Sequence, residues 1–154
     1  ESAERERFDL AAVVAGCVEG YRAAYAPRRF ELARAPAPLP IEGAPDAIAQ
    51  LLDKLVENAH DFAPPGGVIR VALEPHGRGA LLAVENDGPA LAPEAIARMF
   101  DSMVSLRGHG DGGDGAHLGL GLYIVRLIAE WHGGRARAAN LPGGGGVRFE
   151  VELP

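Results

Sequence analysis

The chain has 154 residues, a formal charge of −6, 47% hydrophobic residues and a single cysteine, Cys17. That length fits one domain of roughly 100–200 residues with a core that needs no disulfide, and a lone cysteine fits a reducing compartment. The negative balance argues against wrapping nucleic acid, which needs a basic face, and no apolar run reaches the ~18 residues of a membrane span.

The start, ESAERER, is no signal peptide and reads as the end of a longer charged helix. Residues 9–26 read as a helix, with Leu10, Val13, Val14, Cys17, Val18 and Tyr21 on one face. Asp9 is its predicted N-cap, with Phe8 stapled onto Val13, and Cys17 is expected as a small core residue. A strand is expected at 29–34, after which APAPLP (35–40) breaks regular structure. A second helix spans Pro45 to Phe62 and stops at PPGG. VIRVALE (68–74) and ALLAVEN (80–86) read as strands around an HGRG turn, and Pro93 to Met103 reads as a short helix. Residues 104–117 hold five glycines and read as a loop. A helix from Leu118 to Trp131 follows, apolar nearly all round apart from Tyr123, Arg126 and Glu130, and ends at His132-Gly133-Gly134. RARAA and VRFEVEL complete the chain as a hairpin. Interleaved helices and strands with a terminal hairpin predict an α/β (α+β) fold with a mixed sheet.

On the second helix, Ile48, Leu51, Leu52, Leu55, Val56, Ala59 and Phe62 fall on one face. Lys54, Asn58 and Asp61 run along one flank, while Asp53, Glu57 and His60 fall on the side expected to meet solvent. Asn58 sits nearest the apolar edge, where an amide needs partners. Its oxygen could meet a hard cation such as magnesium, or the amide could simply cap a neighbouring loop. Lys54 is the only lysine among 15 basic side chains. It stands one turn from Asn58, placed for phosphate or for a surface pair with Glu57 or Asp61.

Two glycine-bearing turns add to this. VENDGPAL (84–91) leaves a strand through Asn86-Asp87-Gly88, where an Asn or Asp acceptor would distinguish the amino group of adenine from the oxo group of guanine. HLGLGLYIV (117–125) places Gly119 and Gly121 at the start of an apolar helix. Glycines there admit either a phosphate to the unpaired N–H groups or a close-packed strand. A helix-end charge contact contributes only ~0.3–1 kcal/mol, so metal, lysine and a covering loop would have to share in holding a triphosphate.

In order along the chain, these stretches resemble the catalytic ATP-binding domain of bacterial sensor histidine kinases in the GHKL ATPase superfamily. LLDKLVENAHDFAP resembles the asparagine box, VENDGPALAPE the first glycine box, ARMFDSM the phenylalanine box and HLGLGLYIVRLIAEWHGG the second glycine box. LDKLVENA, NDGP and FDSMVS are also similar to a proteobacterial subgroup, some members of which sit beside sortase systems.

The resemblance implies a two-layer Bergerat-type sandwich over 9–154, helices on one face of a mixed sheet, with 1–8 left from the linker to a histidine-bearing dimerisation domain. It implies ATP and Mg2+ as ligands, with Asn58 on the phosphate-bound magnesium and Asn58 and Lys54 serving the chemistry. Asp61, Phe62, Asn86, Asp87, Gly88, Leu91, Leu118, Gly119, Leu120, Gly121 and Leu122 would line the ATP site. Residues 104–117 would form the lid, with Phe100 anchoring its near edge. The implied partners are the acceptor-histidine domain and a response regulator, with no nucleic acid and no direct membrane contact. The implied location is cytoplasmic, within an inner-membrane sensor.

Several positions depart from the family pattern. Asn86-Asp87 reverses the usual Asp-Asn order; an amide accepts the same hydrogen bond but can turn and donate, which weakens discrimination. Lys54 replaces an asparagine or acidic residue and Asp61 a basic one, which suggests that the phosphate-facing charge has moved back along the helix. Met103 stands where a second phenylalanine is common. Lysine at 54 also removes the acidic base expected of hydrolysing relatives such as gyrase-type ATPases. A degenerate nucleotide-sensing or partner-binding domain remains the other reading. None of the five histidines lies in an acceptor-type helix. A lid metal site of His109, Asp111, Asp114 and His117 is a further, minor expectation.

Overall fold

The structure, a computed structural model, describes residues 4–34, 37–101 and 113–154, and of 113–120 the backbone alone. Helix α1 (Leu10–Ala24) starts as predicted, with the Asp9 carboxylate accepting from Ala11 N at 3.0 Å. The same oxygen accepts from Leu39 N at 2.9 Å, so the cap also fixes the chain before the second helix. That helix, α2 (Pro45–Phe62), opens with proline in its first turn and Asp46 against the helix dipole. Ile48, Leu51, Leu52, Leu55, Val56 and Ala59 are all fully buried, as their spacing dictates. Each large aliphatic among them contributes ~1.5–3 kcal/mol of burial, ample to outweigh a helix start without a side-chain cap.

The main sheet contains β2 (Arg29–Arg34), β4 (Val68–His76), β5 (Gly79–Asp87), β6 (Arg135–Asn140) and β7 (Gly146–Leu153), in the order β2-β4-β5-β7-β6. Strands β2 and β4 are parallel and the other pairs antiparallel, so the sheet is mixed as expected. Alternate residues Ile69, Val71 and Leu73, Leu82 and Val84, and Val147, Phe149 and Val151 join the helices in one core. The opposite face carries a cross-strand ladder of ion pairs that includes Arg70–Glu85, Arg148–Glu85, Arg148–Glu150 and Arg137–Glu150. The two-layer sandwich with helices on one face therefore stands.

Several expectations need correction. Glu6–Asp9 is not the end of a helix but strand β1, paired antiparallel with β3 (Pro40–Gly43) in a separate two-stranded sheet. The short helix α3 (Pro93–Arg98) ends at Arg98, and Met99, 1% exposed, turns into the core. The last helix, α4 (Gly113–Trp131), begins before Leu118, so 113–117 are helical and not loop. It is not buried all round, for Leu127 is 46% exposed. Of the side of α2 expected to face solvent, Asp53 is exposed as predicted, while Glu57 and His60 are partly covered. The Tyr21 hydroxyl donates to Asp53 at 2.5 Å, and the Tyr25 and His60 rings meet at a tilt of 54° with centroids 4.6 Å apart. Burial and the Asp53 carboxylate push the Tyr21 phenol well above its ordinary range. Cys17 packs half-buried against the core with its thiol pushed up by burial, as a small core residue should be.

Candidate functional site

Asn58 is 5% exposed on α2, and its amide nitrogen is buried without a hydrogen-bond partner. Leaving a buried polar atom unpaired costs about 1–3 kcal/mol, which a ligand can recover. One turn earlier, the stem of Lys54 lies against α4: a Cβ built on Gly121 would stand 3.7 Å from Lys54 Cδ. One turn later, Phe62 is the last residue of α2, and its carbonyl lies 3.4 Å from where a Cβ on Gly88 would be. Positions 54, 58 and 62 share one line of a helix, since i and i+4 are neighbours. That line connects the middle of α4, where Gly121 lies and not at a helix start as expected, to the turn after β5, with Asn58 between them.

Gly88 has φ +145°, a conformation that L side chains rarely adopt, so glycine is required there. Its N–H donates to Gly145 O at 3.2 Å, which ties the turn to the β6–β7 connection. The preceding residue, Asp87, is committed to structure. Its carboxylate accepts from Val68 N at 3.0 Å and from the Arg70 guanidinium at 3.0 Å, and both hold it below the usual carboxylate range. Asn86 is different. It is 1% exposed, its amide nitrogen donates to Asp87 O at 3.0 Å, and its Oδ1 is buried with no partner. Turning the amide over would set two oxygens against each other and strand its N–H2 group, so the oxygen is the presented atom. The concern that this amide would turn and donate is thus opposed by its own backbone contact.

The remaining predicted residues distribute as follows. Leu91 is half-buried and follows the Gly88 turn, Leu122 is fully buried in α4, and Asp61 is exposed near the end of α2. Gly121 is buried at the α2 contact. Gly119, Leu118 and Leu120 lie on the α4 backbone, and their side chains are outside the described residues. Phe100 meets Phe149 edge-on with centroids 6.2 Å apart, and its carbonyl accepts from Arg126 at 3.4 Å. Met103 and the lid region 104–112 lie outside the described residues, as do His109 and Asp111 of the suggested metal site and the side chains of Asp114 and His117. Among the described residues no group of three metal-ligating side chains occurs.

The sequence reading missed three residues that shape the site. Asn140, at the end of β6, accepts from Leu91 N at 2.8 Å and donates to Leu91 O at 2.9 Å. Arg28 caps the end of α2 through the carbonyls of His60 and Ala63. His132, 6% exposed, hydrogen-bonds Ile128 O through Nδ1 at 2.8 Å and accepts from Ala44 N through Nε2 at 3.1 Å. It joins the end of α4 to the start of α2. A Cβ at Gly43 would lie 2.3 Å from its ring, so only glycine leaves it room. An asparagine before Leu-Pro-Gly and a histidine before Gly-Gly read as turn residues, and nothing marks Arg28 out from thirteen other arginines.

Comparison with known proteins places this geometry. The profile described as Histidine kinase-, DNA gyrase B-, and HSP90-like ATPase matches residues 43–154. The chain is 39% identical over 112 residues to the sensor protein ChvG of Rhizobium meliloti, covering 70% of this chain and 19% of ChvG. It is 30% identical over 159 residues to the sensor histidine kinase TrcS of Mycobacterium tuberculosis, covering 100% of this chain and 30% of TrcS. Among solved structures, the mycobacterial sensor histidine kinase MprB superposes with a TM-score of 0.80 at 26% identity, over 97% of each chain. The chain belongs to the histidine kinase-, DNA gyrase B-, and HSP90-like ATPase family. Within that family it is homologous to the catalytic ATP-binding domain of sensor histidine kinases, and it spans less than a third of the length of either relative.

Proposed function

We propose that this domain binds ATP with Mg2+ along the line from Gly88 to Gly121 and presents the γ-phosphate to a histidine on a separate helical domain. The phosphoryl group would then pass to an aspartate of a response regulator. The observation that carries the reading is the pair of orphaned buried amides, Asn58 and Asn86, at residues that α2 and the Gly88 turn hold beside each other's elements. Asn86 Oδ1 would accept from the exocyclic amino group of adenine. Gly88 would lie under the base, with Phe62 and Leu91 at its sides. Asp87 would act one step away, holding the end of β5 to β4.

The buried, unpartnered atom of Asn58 is its Nδ2, a donor that a phosphate oxygen could satisfy, and its amide oxygen is the atom it would offer to a hard cation that otherwise keeps water and phosphate oxygens. Magnesium, when bound, would neutralise charge between the phosphates. Lys54 would add a point charge at the phosphate end, and Gly119 and Gly121, which lie inside α4 and not at its start, would leave room for phosphate by lacking a Cβ. The residues thereby position the phosphoryl group and stabilise its charge, which is most of what phosphoryl transfer requires. Lysine at 54 leaves no acidic base one turn before Asn58, which favours transfer over hydrolysis. Sitting on the cytoplasmic side of a membrane sensor would give this site its ATP.

Isothermal titration with Mg·ATP, Mg·GTP and ADP tests the reading. ATP should bind, and GTP should bind roughly tenfold or more weakly, because its oxo group faces the Asn86 oxygen. No heat with any nucleotide would favour a degenerate domain instead.

A further inference from the structure

Arg28 lies in the short link between α1 and β2, far in sequence from every motif above. Its side chain is half-buried and meets five acceptors. Nε donates to His60 Nδ1 at 3.0 Å. One terminal nitrogen donates to Pro64 O at 2.7 Å and Gly67 O at 2.9 Å. The other donates to His60 O at 3.2 Å and Ala63 O at 3.1 Å. The last carbonyls of a helix have no partners within it and carry the negative end of its dipole. A planar fork with five N–H donors satisfies them as no other side chain can.

What Arg28 holds is a wall of the nucleotide site. Pro64 is one of the residues it grips and Phe62 adjoins another, Ala63, and both lie against Gly88: a Cβ there would stand 3.4 Å from Phe62 O and 3.7 Å from Pro64 Cδ. Gly67 lies against Asp87 in the same way, at 3.5 Å from the Asp87 Cβ. We infer that Arg28 is a positioning residue for the base end of the nucleotide site, fixing the end of α2 and the Pro64–Gly67 turn against the Asn86–Gly88 turn. The inference rests on the adenine-nucleotide reading of that site. Arg28 touches no ligand; it acts through the backbone of 60–67. The phosphate end, at Lys54 and Gly121, is two turns of α2 away and does not depend on it.

The test is titration of ATP and ADP into wild type, Arg28→Lys and Arg28→Ala, at a temperature where thermal melts show each protein folded. A purely structural residue lowers the melting temperature but leaves the affinity of the folded protein unchanged, because only the binding-competent fraction enters the measured constant. Both variants should bind about tenfold more weakly, by the same factor for ATP and ADP, and Arg28→Lys should not rescue because it keeps the charge and loses the fork. Unchanged affinity overturns the inference, and so does a loss that grows from ADP to ATP. Failure of the wild type to bind either nucleotide defeats the site reading itself, and this inference with it. If neither variant folds, 15N NMR of wild-type His60 decides. An unprotonated, hydrogen-bonded Nδ1 supports the clamp, and a protonated Nδ1 overturns it.

Discussion

Asn140 grips Leu91 by both of its backbone groups, accepting from the N–H at 2.8 Å and donating to the carbonyl at 2.9 Å across 49 residues of sequence. An amide side chain here imitates a neighbouring strand and holds the segment that leaves the Gly88 turn. Asn140→Ala should destabilise the domain by about 1–3 kcal/mol, because two backbone groups lose their partner. The melting temperature should fall by several degrees, and hydrogen exchange should speed up at the Leu91 amide. Unchanged exchange at Leu91 would show that the clamp is not formed in solution.

Gly121 offers a separation of stability from binding. A methyl group there would meet Lys54 at 3.7–3.8 Å, an ordinary contact, and alanine is favoured over glycine within a helix by about 1 kcal/mol. Gly121→Ala should therefore keep or raise the melting temperature. It should weaken ATP binding, because the methyl group would fill space beside Lys54 that the phosphates would occupy. Unaltered ATP affinity would assign this glycine to helix packing alone.

Lys54→Ala should weaken ATP more than ADP, by about tenfold for the triphosphate, since a point charge near phosphate contributes more as phosphates are added. The melting temperature should barely move for a half-exposed side chain. An equal effect on both nucleotides would place Lys54 away from the terminal phosphate.

His132 makes the domain sensitive to acid. Burial, partly offset by its bond to Ile128 O, holds the imidazole below its ordinary value of 6.5. Its Nε2 must stay unprotonated to accept from Ala44 N. The unfolded chain therefore takes up this proton at a higher pH than the folded one, so stability rises with pH. The contribution is complete above 6.5 and is lost as pH falls from there through the lower folded value. Denaturant unfolding between pH 5.5 and 7.5 should show this slope in wild type and a flatter one in His132→Asn. Equal slopes would assign the pH dependence to other groups.

Much of this was legible in the residues themselves. The apolar face of α2 and the Asp9 cap of α1 are local patterns, and both appear where spacing placed them. Strands β1 and β3 were not legible. Each has four residues, Glu6, Arg7 and Glu42 are exposed, and their pairing bridges more than thirty residues. On the polar side of α2 Asp53 is exposed as its position predicted, but periodicity could not show that Tyr21 would donate to it or that Tyr25, just past α1, would meet His60. Asn58 could be picked out because an amide at the edge of an apolar face is conspicuous, and Asn86 because it opens a glycine-bearing turn at the end of a strand. Arg28 and Asn140 could not, because their partners are backbone groups, which a sequence does not distinguish.

The central claim is that Asn58 holds the metal of a bound Mg·ATP. Calorimetry of ATP binding to wild type and Asn58→Ala, each with magnesium and with EDTA, tests it most directly. Magnesium should tighten wild-type binding by about tenfold or more and should do little for Asn58→Ala, so the two effects are not additive. Equal tightening by magnesium in both proteins, or no ATP binding by wild type, would contradict the account.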